Sequence, residues 1–206
     1  MLLKVLALLG IASSIAWCAH GHHRRRPVVV AVTVLLGFDQ PHSEASLRVM
    51  EKEAYSILKD TGVRVDWRLR SEMSDGDQFG NLVSFQLHGH CSMESEPEKV
   101  DESGPLAKAY ASDGTVLHFG EVECDRIQAT VRRTLGPSPY RFADDLLGKA
   151  MGRVLAHEMY HILGNELDHT KGGLTRSGLT ADDLFRGKAS FAGPATERLA
   201  LEYKGY

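Results

Sequence analysis

Residues 28–69 constrain the fold more tightly than any other part of this chain. Segment 28–36 is a nearly unbroken run of apolar, β-branched residues, the pattern of a strand buried on both faces. Ser43 is placed to cap a helix running to about Asp60. Leu47, Met50, Ala54, Ile57 and Leu58 keep helical spacing along it, and Gly62 stops it. From Val63 the period changes to two: Val63, Val65, Trp67 and Leu69 face one way, Arg64, Asp66 and Arg68 the other. Strand, helix, strand in this order is a βαβ unit, so the two strands are expected to run parallel in one sheet.

The rest of the chain adds to that unit. Segment 82–88 reads as a third strand. Ser112-Asp113-Gly114 is a hairpin turn whose second strand, 115–119, is expected at the sheet edge. Ile127, Val131 and Leu135 form one stripe of a helix over 125–135, and Pro137 and Pro139 break the chain after it. Beyond a glycine-rich stretch, 171–178, come a capped helix at 180–185 and a last short helix at 195–203. With 206 residues, 43% of them hydrophobic and 25% charged, the chain can build one domain with a sizeable core, placed at 28–206. The formal net charge of -3 gives no footprint for nucleic acid as a partner.

Residues 1–19 read as a secretory signal peptide. Lys4 supplies the positive start, 5–15 is apolar but short for a membrane span, and small residues lead up to Ala19. Residues 20–27, with His22, His23, Arg24, Arg25 and Arg26 in a row, read as a flexible basic tail. The expected location is therefore secreted or periplasmic, with no membrane span after signal cleavage. Export leaves Cys91 and Cys124 as a pair in an oxidising compartment, where a disulfide between them is expected.

The chemistry sits on the helix that Asp144 or Asp145 is placed to cap and that Gly164 ends. Leu147, Met151, Val154 and Leu155 give it a buried face. Its C-terminal part reads His157-Glu158-Met159-Tyr160-His161, an HExxH motif. Residues four apart on a helix share a face, so both imidazoles can reach one metal ion, and zinc takes imidazole nitrogen readily. Glu158 lies about 100° round the helix from His157. It thus reaches past the ion to where a base must stand to take a proton from zinc-activated water. A catalytic zinc needs a third protein ligand. His169, Asp168, Asp182 and Glu197 are the candidates, with Glu202 also on the last helix. Arg153, one turn before His157, reads as a surface charge. Glu121 reads as solvated or as a cap for the next helix, and Tyr160 as lining either the cleft or the core.

The stretch His157-Glu158-Met159-Tyr160-His161-Ile162-Leu163-Gly164 resembles the metzincin metallopeptidases, whose motif is HExxHxxGxxH. In that pattern the third ligand falls on Leu167, which cannot ligate; His169 arrives two residues later. Residues 148–158 continuing through His169 to Gly173, together with 119–126, are similar to a group of predicted secreted bacterial zinc peptidases that carry this later His. The resemblance implies His157, His161 and His169 as zinc ligands and Glu158 as general base. It also implies a mixed α/β, metzincin-like (zincin) domain: a twisted, mostly parallel sheet with an antiparallel edge strand, packed on a central active-site helix. No methionine follows Met159, so Leu174 is expected to replace the metzincin methionine beneath the metal. The expected function is a zinc metalloendopeptidase acting on peptides or proteins. The alternative is a non-catalytic zinc-binding or degenerate peptidase module of the cell envelope.

Overall fold

The computed structural model describes residues 30–94, 100–101, 103–136, 142–191, 193 and 199. The expected signal peptide and basic tail, most of the expected last helix, and Glu197 and Glu202 lie outside them. Five strands form one sheet: β1 (Val30–Phe38), β2 (Val63–Leu69), β3 (Leu82–His88), β4 (Ala107–Ser112) and β5 (Thr115–Glu123). Their spatial order is β2-β1-β3-β5-β4. β1 pairs parallel with β2 and β3, and β3 parallel with β5. Only β4 runs antiparallel, on β5, at the sheet edge.

The βαβ unit forms as its periodicity requires. Ser43 caps α1 (Glu44–Leu58), accepting from the Ser46 N–H, and Gly62 leaves the following 3-10 turn at φ 80°, a left-handed conformation that favours glycine. Val32, Val34 and Leu36 of β1, Val83, Phe85 and Leu87 of β3, and Val116 and Val122 of β5 join α1, α2 (Cys124–Leu135) and α3 (Ala143–Leu163) in one core. The first strand is buried on both faces, as its composition implies, only over residues 34–37 and not along its whole length. Ala31 is exposed, and Gly37 on the outer side lies against the Gln86 and Arg70 side chains. Nor is 115–119 the edge. β5 is sandwiched between β3 and β4, because β3 takes it as a parallel neighbour.

Helix α3 runs through the middle of the core against α1. Gly148 and Gly152, one turn apart, permit the approach. A Cβ at Gly148 would stand 2.3 Å from the Ser46 carbonyl oxygen, and one at Gly152 2.6 Å from that of Met50. Backbone cannot yield as a flexible side chain can, so Gly152→Ala is expected to lower stability by about 1–3 kcal/mol or more through forced separation of the helices. Denaturant titration of the variant checks this. The N-terminus of α3 differs from expectation. Phe142 is the cap residue, without a side-chain cap bond. Asp144 instead reaches across: it accepts from the Ser43 hydroxyl at 2.8 Å and the Met93 N–H at 2.7 Å, tying α3 to the start of α1.

Cys91 and Cys124 are bridged, with Cα atoms 5.0 Å apart and 33 residues of separation. The closed loop contains β4 and β5, and the bridge ties the segment just after β3 to the start of α2. For that loop length, chain entropy gives a stabilisation of about 3–4 kcal/mol. The Cys91→Ser, Cys124→Ser double variant is expected to lose about that much in chemical denaturation. Among the described residues no helix is long and apolar enough to cross a membrane.

Candidate metal centre

Three histidines converge at the C-terminal end of α3. One ring nitrogen from each of His157, His161 and His169 lies within 4.8 Å of the others. The ring centroids are 4.8 Å apart for His157 and His161, 4.7 Å for His161 and His169, and 5.3 Å for His157 and His169. His157 and His161 are buried, one helical turn apart; His169 is exposed and comes from the loop that follows. Of the other ligand candidates, Asp182 is an exposed residue of α4 (Ala181–Phe185) paired with Arg186 at 3.1 Å. Asp168 is exposed as well, and neither joins the cluster.

The orientation of the two buried rings is set by main-chain carbonyls. His161 Nδ1 donates to the Glu166 carbonyl at 2.6 Å, and His157 Nδ1 donates to the Leu174 carbonyl. A carbonyl can only accept, so each ring carries its proton on Nδ1 and presents a bare Nε2 lone pair. The two Nε2 atoms then face each other at 3.2 Å. Two lone pairs at that distance repel unless a cation lies between them. Tetrahedral zinc with bonds of about 2.0–2.1 Å holds its nitrogens roughly 3.3–3.4 Å apart. The donor set and its spacing therefore fit zinc. Burial pushes His157 down to about 4, opposed by the Leu174 carbonyl, and burial lowers His161 too. Both shifts favour the neutral form that ligation needs.

The local sequence explains how the carbonyls arrive. The left-handed residue after α3 is Asn165 at φ 44°, not Gly164, which is right-handed. Glu166 N–H bonds back to the His161 carbonyl and Asn165 N–H to that of Ile162, the double bond pattern of a Schellman turn. Gly164 is needed for space, since a Cβ there would stand 2.9 Å from the Tyr160 carbonyl oxygen. The Asn165 side chain also accepts from the Val116 N–H at 2.8 Å, which docks this turn on β5. Further on, Thr170 and Thr175 close a small loop through their hydroxyls and the Thr170 N–H to Thr175 carbonyl bond. That loop places His169 at the cluster and Leu174, in a 3-10 turn (Gly173–Thr175), beside His157.

Arg153 is not a surface residue. It is 1% exposed, and its guanidinium donates to Glu53 at 2.6 Å and to the carbonyls of Asp183, Arg186 and Gly187 at 2.6–2.8 Å. It clamps the segment after α4 against α3. From there the Ser190 carbonyl accepts the Leu174 N–H. Tyr160 belongs to the core, edge-on to His161 and tilted against Phe191. Glu121 lies apart from the centre, paired with Lys108 at 2.9 Å on the sheet.

Glu158 is buried next to the cluster, with its Oε1 4.0 Å from His157 Nε2. Burial pushes its carboxyl up to about 7, opposed by the Ala109 N–H that donates to it from β4. The centre opens on a cleft of about 290 Å³, bounded by β4 on one side and by Glu166, Leu167 and His169 on the other. A second cavity of about 230 Å³ shares His157 and Glu158 with it and continues past Val154 and Leu179. Such an arrangement can hold a divalent cation on neutral imidazoles, place a buried carboxyl beside it, and admit an extended ligand along the sheet edge.

No family model and no curated protein matches this chain. Among solved structures, archaemetzincin from Methanopyrus kandleri aligns with it at a TM-score of 0.52, over 84% of this chain and 96% of that one. The two are 15% identical, a level at which the likeness speaks for the fold alone. The mostly parallel sheet, its antiparallel edge strand and the helix beneath them are therefore those of a metzincin-like fold, the fold of archaemetzincin.

Proposed function

We propose that this chain is an exported zinc-dependent metallopeptidase that hydrolyses peptide bonds, with His157, His161 and His169 as the metal ligands and Glu158 as general base. The reading rests on one observation above the rest: two neutral imidazoles with fixed Nε2 lone pairs meet a third imidazole beside a buried carboxyl in an open cleft. Zinc, when bound, activates a water molecule and polarises a carbonyl. Glu158 takes the proton from the attacking water and passes it to the leaving nitrogen. Its position suits both steps, because its Oε1 lies 4.0 Å from His157 Nε2, beside the nitrogens that would hold the ion. This role sets the chain apart from a non-catalytic zinc module, which has no use for a buried carboxyl at the ion.

The substrate is proposed to bind as an extended strand on β4. Leu106 accepts from the Glu123 N–H on the β5 side, so by alternation Ala107 and Ala109 turn their main-chain groups outward. The Ala109 N–H reaching Glu158 agrees with that direction. Export is supported by the Cys91–Cys124 bridge and by the signal-like residues 1–19. We place the chain with exported bacterial zinc peptidases that carry a late third His. A peptide library incubated with the zinc-loaded protein tests the activity. Cleavage that stops on chelation and returns with zinc is expected; a fully zinc-loaded protein that cuts nothing in the library would contradict the reading.

A further inference from the structure

Hydrolysis of an amide leaves negative charge on the scissile carbonyl oxygen, and a fixed hydrogen-bond donor facing that oxygen accelerates the step. The two cavities at the centre share five lining residues: Pro105, Ala107, His157, Glu158 and Ser177. A peptide lying through both cavities has its scissile bond beside these residues, because Glu158 is among them. The side chains around Ser177 are committed elsewhere. Thr175 is buried and bonded to Thr170 and to the Gly172 carbonyl. Arg176 spans Ser177, donating through Nε to the Gly178 carbonyl at 2.9 Å and through Nη2 to Asp183 at 2.5 Å. Asp183 in turn closes the capping box of α4 with Thr180. Ser177 is thus held on both sides by bonded neighbours, while its own side chain is exposed and makes no hydrogen bond among the described residues. Lys108 and Arg176, the cations that line these cavities, are each paired with a carboxylate, Glu121 and Asp183.

We propose that Ser177 is a further catalytic residue whose hydroxyl donates a hydrogen bond to the scissile carbonyl oxygen as that oxygen takes on negative charge. The proposal rests on the peptidase reading above. The balance of the step is simple. The water oxygen bonds to the carbonyl carbon, the carbon–nitrogen bond breaks, and one water proton reaches the leaving nitrogen through Glu158. Ser177 keeps its proton throughout and forms no covalent bond. Bonds of its neighbours hold its backbone in place, and its unbonded hydroxyl is free to turn toward the developing charge.

The test compares zinc-loaded wild type, Ser177→Ala and Ser177→Thr. Removing one such donor costs about 10²–10³-fold in kcat. Ser177→Ala is expected to lose kcat on that scale with KM unchanged, and Ser177→Thr to recover most of it. A phosphinic peptide, which carries a tetrahedral oxyanion, is expected to bind Ser177→Ala weaker by a similar factor, while zinc content and thermal stability stay at the wild-type level. A kcat within twofold of wild type, or a loss confined to KM, overturns the proposal. Binding of the phosphinic peptide separates this failure from that of the parent reading. If the wild type cuts no peptide, equal affinity of the phosphinic peptide for wild type and Ser177→Ala still rejects the role of Ser177, and unequal affinity still supports it.

Discussion

Replacing Glu158 with Gln is expected to cut peptide hydrolysis by about 10²–10⁴-fold while the chain still binds zinc. Gln keeps the size of the side chain and an oxygen to accept the Ala109 N–H, but it cannot take a proton from water. A second signature follows from burial and needs no substrate. The Glu158 carboxyl is pushed up to about 7 from an ordinary value of 4.5. A raised carboxyl favours folding while it is neutral. That contribution is complete below the unfolded value near 4.5 and is lost as pH rises through 7. Metal-free Glu158→Gln avoids the buried charge. It should match the wild type near pH 4.5 and exceed it above pH 7 by up to about 3 kcal/mol. The buried, down-shifted His157 loses stability in the opposite direction as pH falls, but both proteins carry it, so it cancels in the comparison. Thermal unfolding of the two metal-free proteins at pH 5 and pH 8 reads the difference. Equal midpoints at pH 8 would show that Glu158 is not held in a charge-excluding site.

Replacing His169 with Ala should abolish the stabilisation that zinc gives the chain. His169 is exposed and closes the site from a loop, whereas His157 and His161 are packed into α3. Its loss should therefore leave the metal-free fold intact and, on the proposed ligand set, remove one ligand outright. Losing an outer partner of a ligand histidine costs roughly 10- to 100-fold in metal affinity, and loss of a ligand must exceed that. In the wild type, zinc at a hundredfold excess over its Kd adds about 2.7 kcal/mol to stability. In His169→Ala the same zinc concentration should leave the unfolding midpoint nearly unmoved. A full zinc-induced shift in this variant would return the third position to another ligand.

Much of this was legible in the sequence. The change of period between 28–58 and 63–69 gave the parallel pair, and the spacing of His157 and His161 placed both rings on one helix face. What escaped has a common cause. The groups that orient the two buried rings are the main-chain carbonyls of Glu166 and Leu174, and a carbonyl is the same in every residue. Asn165 following Gly164 was the one local clue, since Asn tolerates the left-handed conformation that starts the turn. Arg153 misleads for a related reason. Its charge reads as surface on a helix, yet three carbonyls from 183–187 arrive from remote sequence to receive it. The edge of the sheet was misplaced because a hairpin turn marks two strands without telling which of them finds a third neighbour.

The central claim is that one zinc ion sits on three histidine nitrogens, His157 and His161 from α3 and His169 from the loop beyond. Anomalous diffraction at the zinc edge, measured on zinc-loaded crystals, tests it most directly. One strong peak is expected about 2.0–2.1 Å from Nε2 of His157, Nε2 of His161 and one ring nitrogen of His169, with a fourth position open toward the cleft. A peak at that distance from a carboxylate in place of His169, or no peak at His157 and His161, would contradict it.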